Sequence, residues 1–259
     1  MVMRESLAEH LGIAPLAARS VALSALLGSH PPQLPARALV AMGSLFGVAE
    51  GAMRTALSRM ALAGEVVLSD AEYVLGERLR RRQAWQDATR RMDTEQWDGA
   101  WWCAMVSAER RSGGVRRTFR ALMAEHRMAE LRPEVWLRPA NIDGPAPGEG
   151  VLVMRGPITG PAGVELAGQL WDLPALAADA DELTALAGEA LSWLAREDPS
   201  AMADAFLVSI AAVRYLRVEP LLPIALVGPG WPADRLREAY DELEKAYAIR
   251  MSSFLAAAS

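Results

Sequence analysis

The sequence predicts an α+β fold, mostly α, on three observations. Apolar residues recur at helical spacing in three runs between residues 16 and 63, and two short β-rich runs follow before residue 76. Between residues 97 and 170, runs short enough for strands alternate with one amphipathic helical run and Pro/Gly-rich breaks. From Trp171 to the C-terminus the spacing is helical again, interrupted at Asp198-Pro199, at EPLLP and at GPGWP.

Each element has a local cause. In residues 16–29, LAARSVALSALLGS, the side chains of Leu16, Val21, Leu23, Leu26 and Leu27 repeat with a helical period. Pro31 and Pro32 stop that helix, since proline has no N–H to donate and its ring clashes with the preceding turn. A second helix over Ala36–Phe46 ends at Gly47, the residue type that takes a left-handed C-terminal turn most readily. A third begins near Glu50, runs to Ala63 and stops at Gly64. GEVVLS and EYVL, separated by Asp70-Ala71, form a small hairpin.

Helix, helix, tight turn, helix and hairpin is the order of a winged helix-turn-helix, here residues 16–76. Residues 77–96 read as an arginine-heavy linker helix. Residues 97–170 read as a ferredoxin-like middle domain. WWCAMVSA is a buried strand, GGVRRTFRALMAEHRM an amphipathic helix, LRPEVWLRP one extended segment, NIDGPAPGEG a loop and VLVMRG another strand. Residues 171–259 form a helical C-terminal domain, and there is no internal repeat.

Composition narrows the class. An apolar content of 52% fits a globular chain. No uninterrupted apolar stretch reaches the ~18 residues that a membrane span needs, and MVMRESLAEHLG lacks the apolar core of a secretion signal. A single cysteine, Cys103, makes no internal disulfide, so the expected compartment is a reducing cytoplasm. His10, His30 and His126 are far apart and have no cysteine clusters beside them, so no structural zinc site is expected. Of the 27 basic residues only Lys245 is lysine, which together with abundant alanine reads as codon usage. Residues 1–91 carry 11 basic and 8 acidic side chains, whereas residues 92–259 carry 16 and 24. A basic end on an acidic body suits a protein that meets phosphate with one end only; chance fluctuation is the alternative.

The segment FGVAEGAMRTALSRMALAG divides by face. Met53, Ala56, Leu57 and Met60 share one side of the helix; Glu50, Arg54, Thr55, Ser58 and Arg59 share the other. Major-groove reading needs that division, with one stripe anchored and the other offering arginine to guanine edges and hydroxyls to bases or phosphates. Such a helix on its own is more often an ordinary solvated face; the order of surrounding elements favours DNA. Arg78, Arg80, Arg81 and Arg82 lie just past the hairpin, either gripping flanking phosphates or pairing with Glu77 and Asp87 on a solvated linker.

The middle domain concentrates Trp97, Trp101, Trp102 and Trp136 near Arg110, Arg111, Arg116, Arg117 and Arg120. Aromatic walls with a few cations suit a small-molecule effector, and the candidate set is Trp101, Trp102, Arg116, Arg117, Arg120 and Trp136. The alternative is tryptophan in the core and arginine on a solvated helix. No glycine-rich phosphate loop, GxSxG elbow or metal-ligand cluster occurs, and no cofactor is expected. The first middle-domain strand ends in Met105-Val106-Ser107 without a carboxylate to hold a metal, and Asp98 and Glu109 only flank it. An enzyme, including a nuclease-related one, is therefore not expected. A non-enzymatic protein-interaction scaffold is the rival class, distinguished by having no salt-dependent affinity for duplex DNA.

In order along the chain, FGVAEGAMRTALSRMALAG, WDGAWW, VRRTFRALMAEHRMAELRPEVWLRP, LWDLPAL and EPLLP with GPGWP resemble the PaaX family of regulators, named for the phenylacetic acid degradation repressor. The resemblance runs from about residue 16 to 247. It implies a winged helix, a ferredoxin-like middle domain similar to a CRISPR-associated endoribonuclease fold, and a helical C-terminal domain. It further implies a homodimer on a double-stranded DNA operator that represses a catabolic operon. Release would come from an acyl-CoA effector, such as phenylacetyl-CoA. Carried over by motif, Arg54, Thr55, Ser58 and Arg59 would face the DNA. Two positions depart from the family pattern. Ala49 stands where a capping serine is usual, which forgoes about 1 kcal/mol. The wing is short and lacks a basic Gly-Arg approach to its second strand.

Overall fold

Residues 2–90, 97–107, 112–160, 163–196 and 199–257 are described by the computed structural model, whose chain divides into two compact units. The first comprises Met1–Arg90, Glu182–Arg214 and Leu236–Ser259; the second comprises Arg91–Asp181 and Tyr215–Arg235. About 59% of the chain is helical and both sheets are small and antiparallel, so the α+β expectation holds with helix in the majority.

In the first unit, α1 is Val2–His10, α2 Ala18–Leu27, β1 Gln33–Pro35, α3 Ala36–Leu45, α4 Glu50–Leu62, β2 Val66–Ser69, β3 Glu72–Leu75 and α5 Glu77–Arg90. The helices follow the apolar periods: α2 buries Val21, Ala22, Ala25 and Leu26, and α3 buries Ala38, Leu39 and Met42. The turn between α3 and α4 needs Gly47, which sits at φ 72°. Behind it the Val48 amide donates to the Gly43 carbonyl at 3.0 Å. The hairpin turns through Asp70 and Ala71, both at positive φ, the geometry of a two-residue turn that follows strand twist.

Within residues 16–76 one element is additional to the sequence expectation. HPPQLP does more than stop α2, because Gln33-Leu34-Pro35 adds an edge strand in the order β1-β3-β2. Proline is tolerated there because an edge leaves one row of N–H groups unused. The core joins these elements to segments of the terminal helices. Val21, Leu39, Met53, Leu57, Met60, Val66 and Leu75 share one apolar cluster with Ala187, Leu194, Met202, Phe206, Leu243 and Met251.

In the second unit, β4 is Ala100–Val106, α6 Gly113–Glu125, β5 Ala129–Arg132, β6 Val135–Pro139, β7 Val151–Pro157 and α7 Gly163–Leu170. The remaining helices are α8 Leu173–Leu194, α9 Pro199–Val218, α10 Ile224–Val227 and α11 Pro232–Ala257. The sheet order β5-β6-β4-β7 is the ferredoxin-like order of second, third, first and fourth strand, all antiparallel. It differs in its connections: residues 140–150 form a loop where a second crossover helix would stand, and α7 follows the last strand. LRPEVWLRP is not a single extended segment. It is cut into β5 and β6 by a turn in which Glu134 takes φ 68°. Alternation along β4 places Ala104 with Phe119, Met123 and Trp136 on one face of the sheet. Trp101 lies on the other face with Leu137, Leu166, Leu222 and Leu226.

A charged network is enclosed in this unit. Arg138 is fully buried; its Nε donates to the Pro139 carbonyl at 2.8 Å, Nη1 to the His126 carbonyl at 2.9 Å and Nη2 to Asn141 Oδ1 at 3.0 Å. Asn141 passes the restraint on, donating to the Leu221 carbonyl at 2.7 Å. Arg127 donates to the Glu219 carbonyl, and the Glu219 side chain, itself wholly buried, accepts from Trp231 Nε1 at 3.4 Å. Burial draws the Arg138 guanidinium down to about 9, with nearby Arg127 pushing the same way and Glu219 opposing; it remains charged at neutral pH. The network also holds two left-handed backbones, Arg127 at φ 54° and Leu221 at φ 53°, that non-glycine residues rarely adopt. Among the described residues, no helix is long and apolar enough to cross a membrane.

Two predictions follow for stability. Removing one member of a buried charged network strands the others, so Arg138→Met or Glu219→Gln is expected to lower the unfolding free energy by about 3 kcal/mol or more in chemical denaturation. A Cβ on Gly76 would meet the Gly64 carbonyl oxygen at 2.2 Å. Gly76→Ala is therefore expected to cost roughly 1–3 kcal/mol in the same measurement, because backbone must shift to admit it.

Candidate nucleic-acid interface

The rotation of α4 is set by Met53, Leu57 and Met60, which are buried, with Ala56 half-buried beside them. Glu50, Arg54, Thr55, Ser58 and Arg59 are all exposed on the remaining surface. Ala49 occupies the N-cap with no side-chain bond to the helix amides. Glu50 in the first turn supplies a negative charge near those amides instead. Arg54 is held along its side: Nε and Nη2 both approach Glu50 Oε1 at 2.7 Å. The Thr55 hydroxyl donates to the Gly51 carbonyl at 2.8 Å and the Ser58 hydroxyl to the Arg54 carbonyl at 3.1 Å. Their protons are thus spent within the helix, while oxygen lone pairs remain to accept. Arg59 makes no ion pair among the described residues.

The turn after α4 is tied down from α2. Arg19 makes a two-pronged ion pair with Glu65, which draws the Glu65 carboxyl below its ordinary range and leaves it a poor receptor for any other cation. The wing itself carries no positive charge. Residues 65–76 contain Glu65, Asp70 and Glu72 and neither lysine nor arginine, and Val67 and Leu68 are exposed on it.

Positive charge returns on α5. Arg78, Arg80, Arg81 and Arg82 are all exposed there, while Leu79 and Gln83 are buried. Gln83 Nε2 donates to the Leu27 carbonyl at 2.6 Å and the Ser29 carbonyl at 3.1 Å, docking α5 on the end of α2. Glu77 engages Arg80 at 2.6 Å and Arg81 at 2.8 Å, and the two guanidiniums, Arg81 foremost, hold its carboxyl below the usual range. Arg82 has no ion pair among the described residues. The expected pairing with Asp87 lies outside the described side chains.

The effector candidates fall on two sides of the second unit's sheet. Trp101 is buried on the face shared with Leu137 and Leu166, edge-on to Trp97 at 6.0 Å. Trp102 and Trp136 lie on the opposite face beneath α6. Arg120 stacks 5.7 Å from the Trp136 ring centre and pairs with Glu130 at 2.6 Å. Arg116 and Arg117 are exposed on α6. Arg155, which the sequence reading did not single out, stacks 6.0 Å from the Trp102 ring centre and pairs with Asp98 at 2.6 Å. That guanidinium, with a further bond from the Ala100 amide, holds the Asp98 carboxyl below its ordinary range. Arg110, Arg111 and Glu109 lie outside the described residues.

The sequence profile of PaaX-like proteins matches residues 17–79, and that of the PaaX-like protein C-terminal domain matches residues 171–257. Among solved structures, the uncharacterized protein Rv0674 from Mycobacterium tuberculosis is 35% identical with a TM-score of 0.69, over 92% of this chain and 98% of that one. No curated protein matches. With both profiles in place and this likeness spanning nearly its whole length, the chain belongs to the PaaX-like family, a family of transcriptional regulators.

Proposed function

We propose that the chain works in the cytoplasm as a homodimeric repressor of a catabolic operon. A winged helix-turn-helix over residues 16–76 binds double-stranded operator DNA. The single observation that carries this reading is the division of α4: its apolar stripe is buried and its five polar candidates are all exposed. In the groove, Arg54 and Arg59 meet base edges, and Thr55 and Ser58 accept from base amines or border phosphates. The wing has no cation with which to hold phosphate, so that task falls to Arg78, Arg80, Arg81 and Arg82 on the linker helix, residues 77–96.

Residues 97–170 hold a small acyl-CoA-type effector, phenylacetyl-CoA or another thioester, that releases the operator. Arg116, Arg117 and Arg120 on α6 offer cations for the nucleotide phosphates. Half-buried Trp102 offers aromatic surface on the α6 side of the sheet, and buried Trp136 and Trp101 support it from within. The helical region, residues 171–259, completes the regulator.

The test is retention of the protein's own promoter fragment by the full chain. Arg54→Ala and Arg59→Ala are each expected to weaken specific binding by roughly 1–3 kcal/mol. Arg82→Ala is expected to weaken all duplexes alike and to flatten the salt dependence by about one unit of slope. Titrating phenylacetyl-CoA and other acyl-CoAs into the same assay checks release. Wild-type protein that ignores duplex DNA at low ionic strength would overturn the reading in favour of a protein-binding scaffold.

A further inference from the structure

We infer that Glu50 is a specificity-determining positioning residue, which holds Arg54 so that its guanidinium presents a fixed two-hydrogen fork to a guanine. The inference rests on the reading of α4 as the groove-facing helix and adds to it which arginine reads a base and what keeps it in place. A guanidinium has two usable edges. The side-on edge, Nε with Nη2, is taken by Glu50: both nitrogens lie 2.7 Å from the same carboxylate oxygen. The end-on edge, one hydrogen on each of Nη1 and Nη2, has no acceptor among the described residues. That edge matches the O6 and N7 acceptors of guanine in the major groove.

The pair is exposed, with side-chain exposures of 61% and 60%. Exposed ion pairs contribute little to fold stability, so its effect is on the aim of the side chain. Arg59 provides the contrast within the same helix. It has no ion pair among the described residues and is free to swing between base and phosphate. Glu50 also places a negative charge at the rim of the surface that meets the duplex. It repels phosphate wherever Arg54 finds no guanine and thereby lowers affinity for unrelated sequence. Specific and unspecific binding therefore respond to Glu50 with opposite sign, which no purely structural role would produce.

The experiment is selection from a randomised duplex library by the full-length protein, with affinity for a random-sequence duplex measured alongside. Wild type is expected to require guanine at one position that Arg54→Ala makes indifferent. Glu50→Gln is expected to relax that same position about tenfold, leave the others unchanged and bind random duplex more tightly. Glu50→Asp keeps a negative charge at the helix start but is one methylene too short to hold Arg54; it is expected to relax the same position. Thermal melts of each variant confirm the fold. The inference is overturned if Glu50→Gln leaves the base profile as in wild type or weakens every position equally. It is also overturned if Arg54→Ala retains the guanine requirement. In each of those cases binding of duplex by the wild type keeps the DNA reading intact, whereas failure of the wild type to select any duplex ends both.

Discussion

Burial of Met53, Leu57 and Met60 against α2 and α3 sets the rotation of α4 about its own axis. With a helix turning about 100° per residue, slipping that stripe by one position would carry Arg54 and Ser58 toward the core. The outward chemistry of the first unit is therefore a consequence of its inward packing. The same constraint explains the supporting devices around α4. Gly47 lets the chain reverse tightly enough for α3 and α4 to touch, and the Arg19 pair with Glu65 fixes the far end, where the chain leaves for β2. The Gln83 bonds to the end of α2 then orient the arginine row of α5 relative to the same three helices.

Much of this was legible because it is local. The periods of α2, α3 and α4 and the stops at Gly47 and Gly64 lie within a few residues of the structure they specify, so element type and exposed face could be read together. What escaped depends on partners distant in the sequence. Gln33-Leu34-Pro35 is a strand only because β3 lies alongside it. The turn between β5 and β6 runs through Pro133 and Glu134, and glutamate in a left-handed conformation leaves no mark that separates it from an extended residue. The eight residues of α7 make little more than two helical turns, short of the ~11 residues over which an apolar helical period is read. Grouping Trp101 with Trp102 as walls of one site overlooks a rule that was available: neighbours in a strand face opposite ways, and these two do.

The least legible feature is also the one that draws the second unit together. RPEVWLRP, EPLLP and GPGWP are far apart in sequence, yet Arg138, Glu219 and Trp231 from these segments belong to one enclosed network. Cations in a strand ordinarily mark its solvent face, so Arg138 between Leu137 and Pro139 gives no hint of its burial. The network tolerates this because the His126 and Pro139 carbonyls and the Asn141 amide oxygen surround the guanidinium, replacing water as its solvent. Left-handed Arg127 and Leu221 are both tied into this network, Arg127 through its guanidinium on the Glu219 carbonyl and Leu221 through its carbonyl on Asn141.

The exposed cations of α4 and α5 are arginines throughout, and Lys245, the one lysine of the chain, lies on α11. Thioesters transfer acyl groups to neutral primary amines, and a guanidinium, protonated at every physiological pH, is a very poor acceptor in that reaction. A protein that met activated acyl carriers would see its lysine surfaces gradually lose charge. Here the cationic face is chemically inert to that drift. A guanidinium surface keeps its charge under acylating conditions in which a lysine surface would lose it.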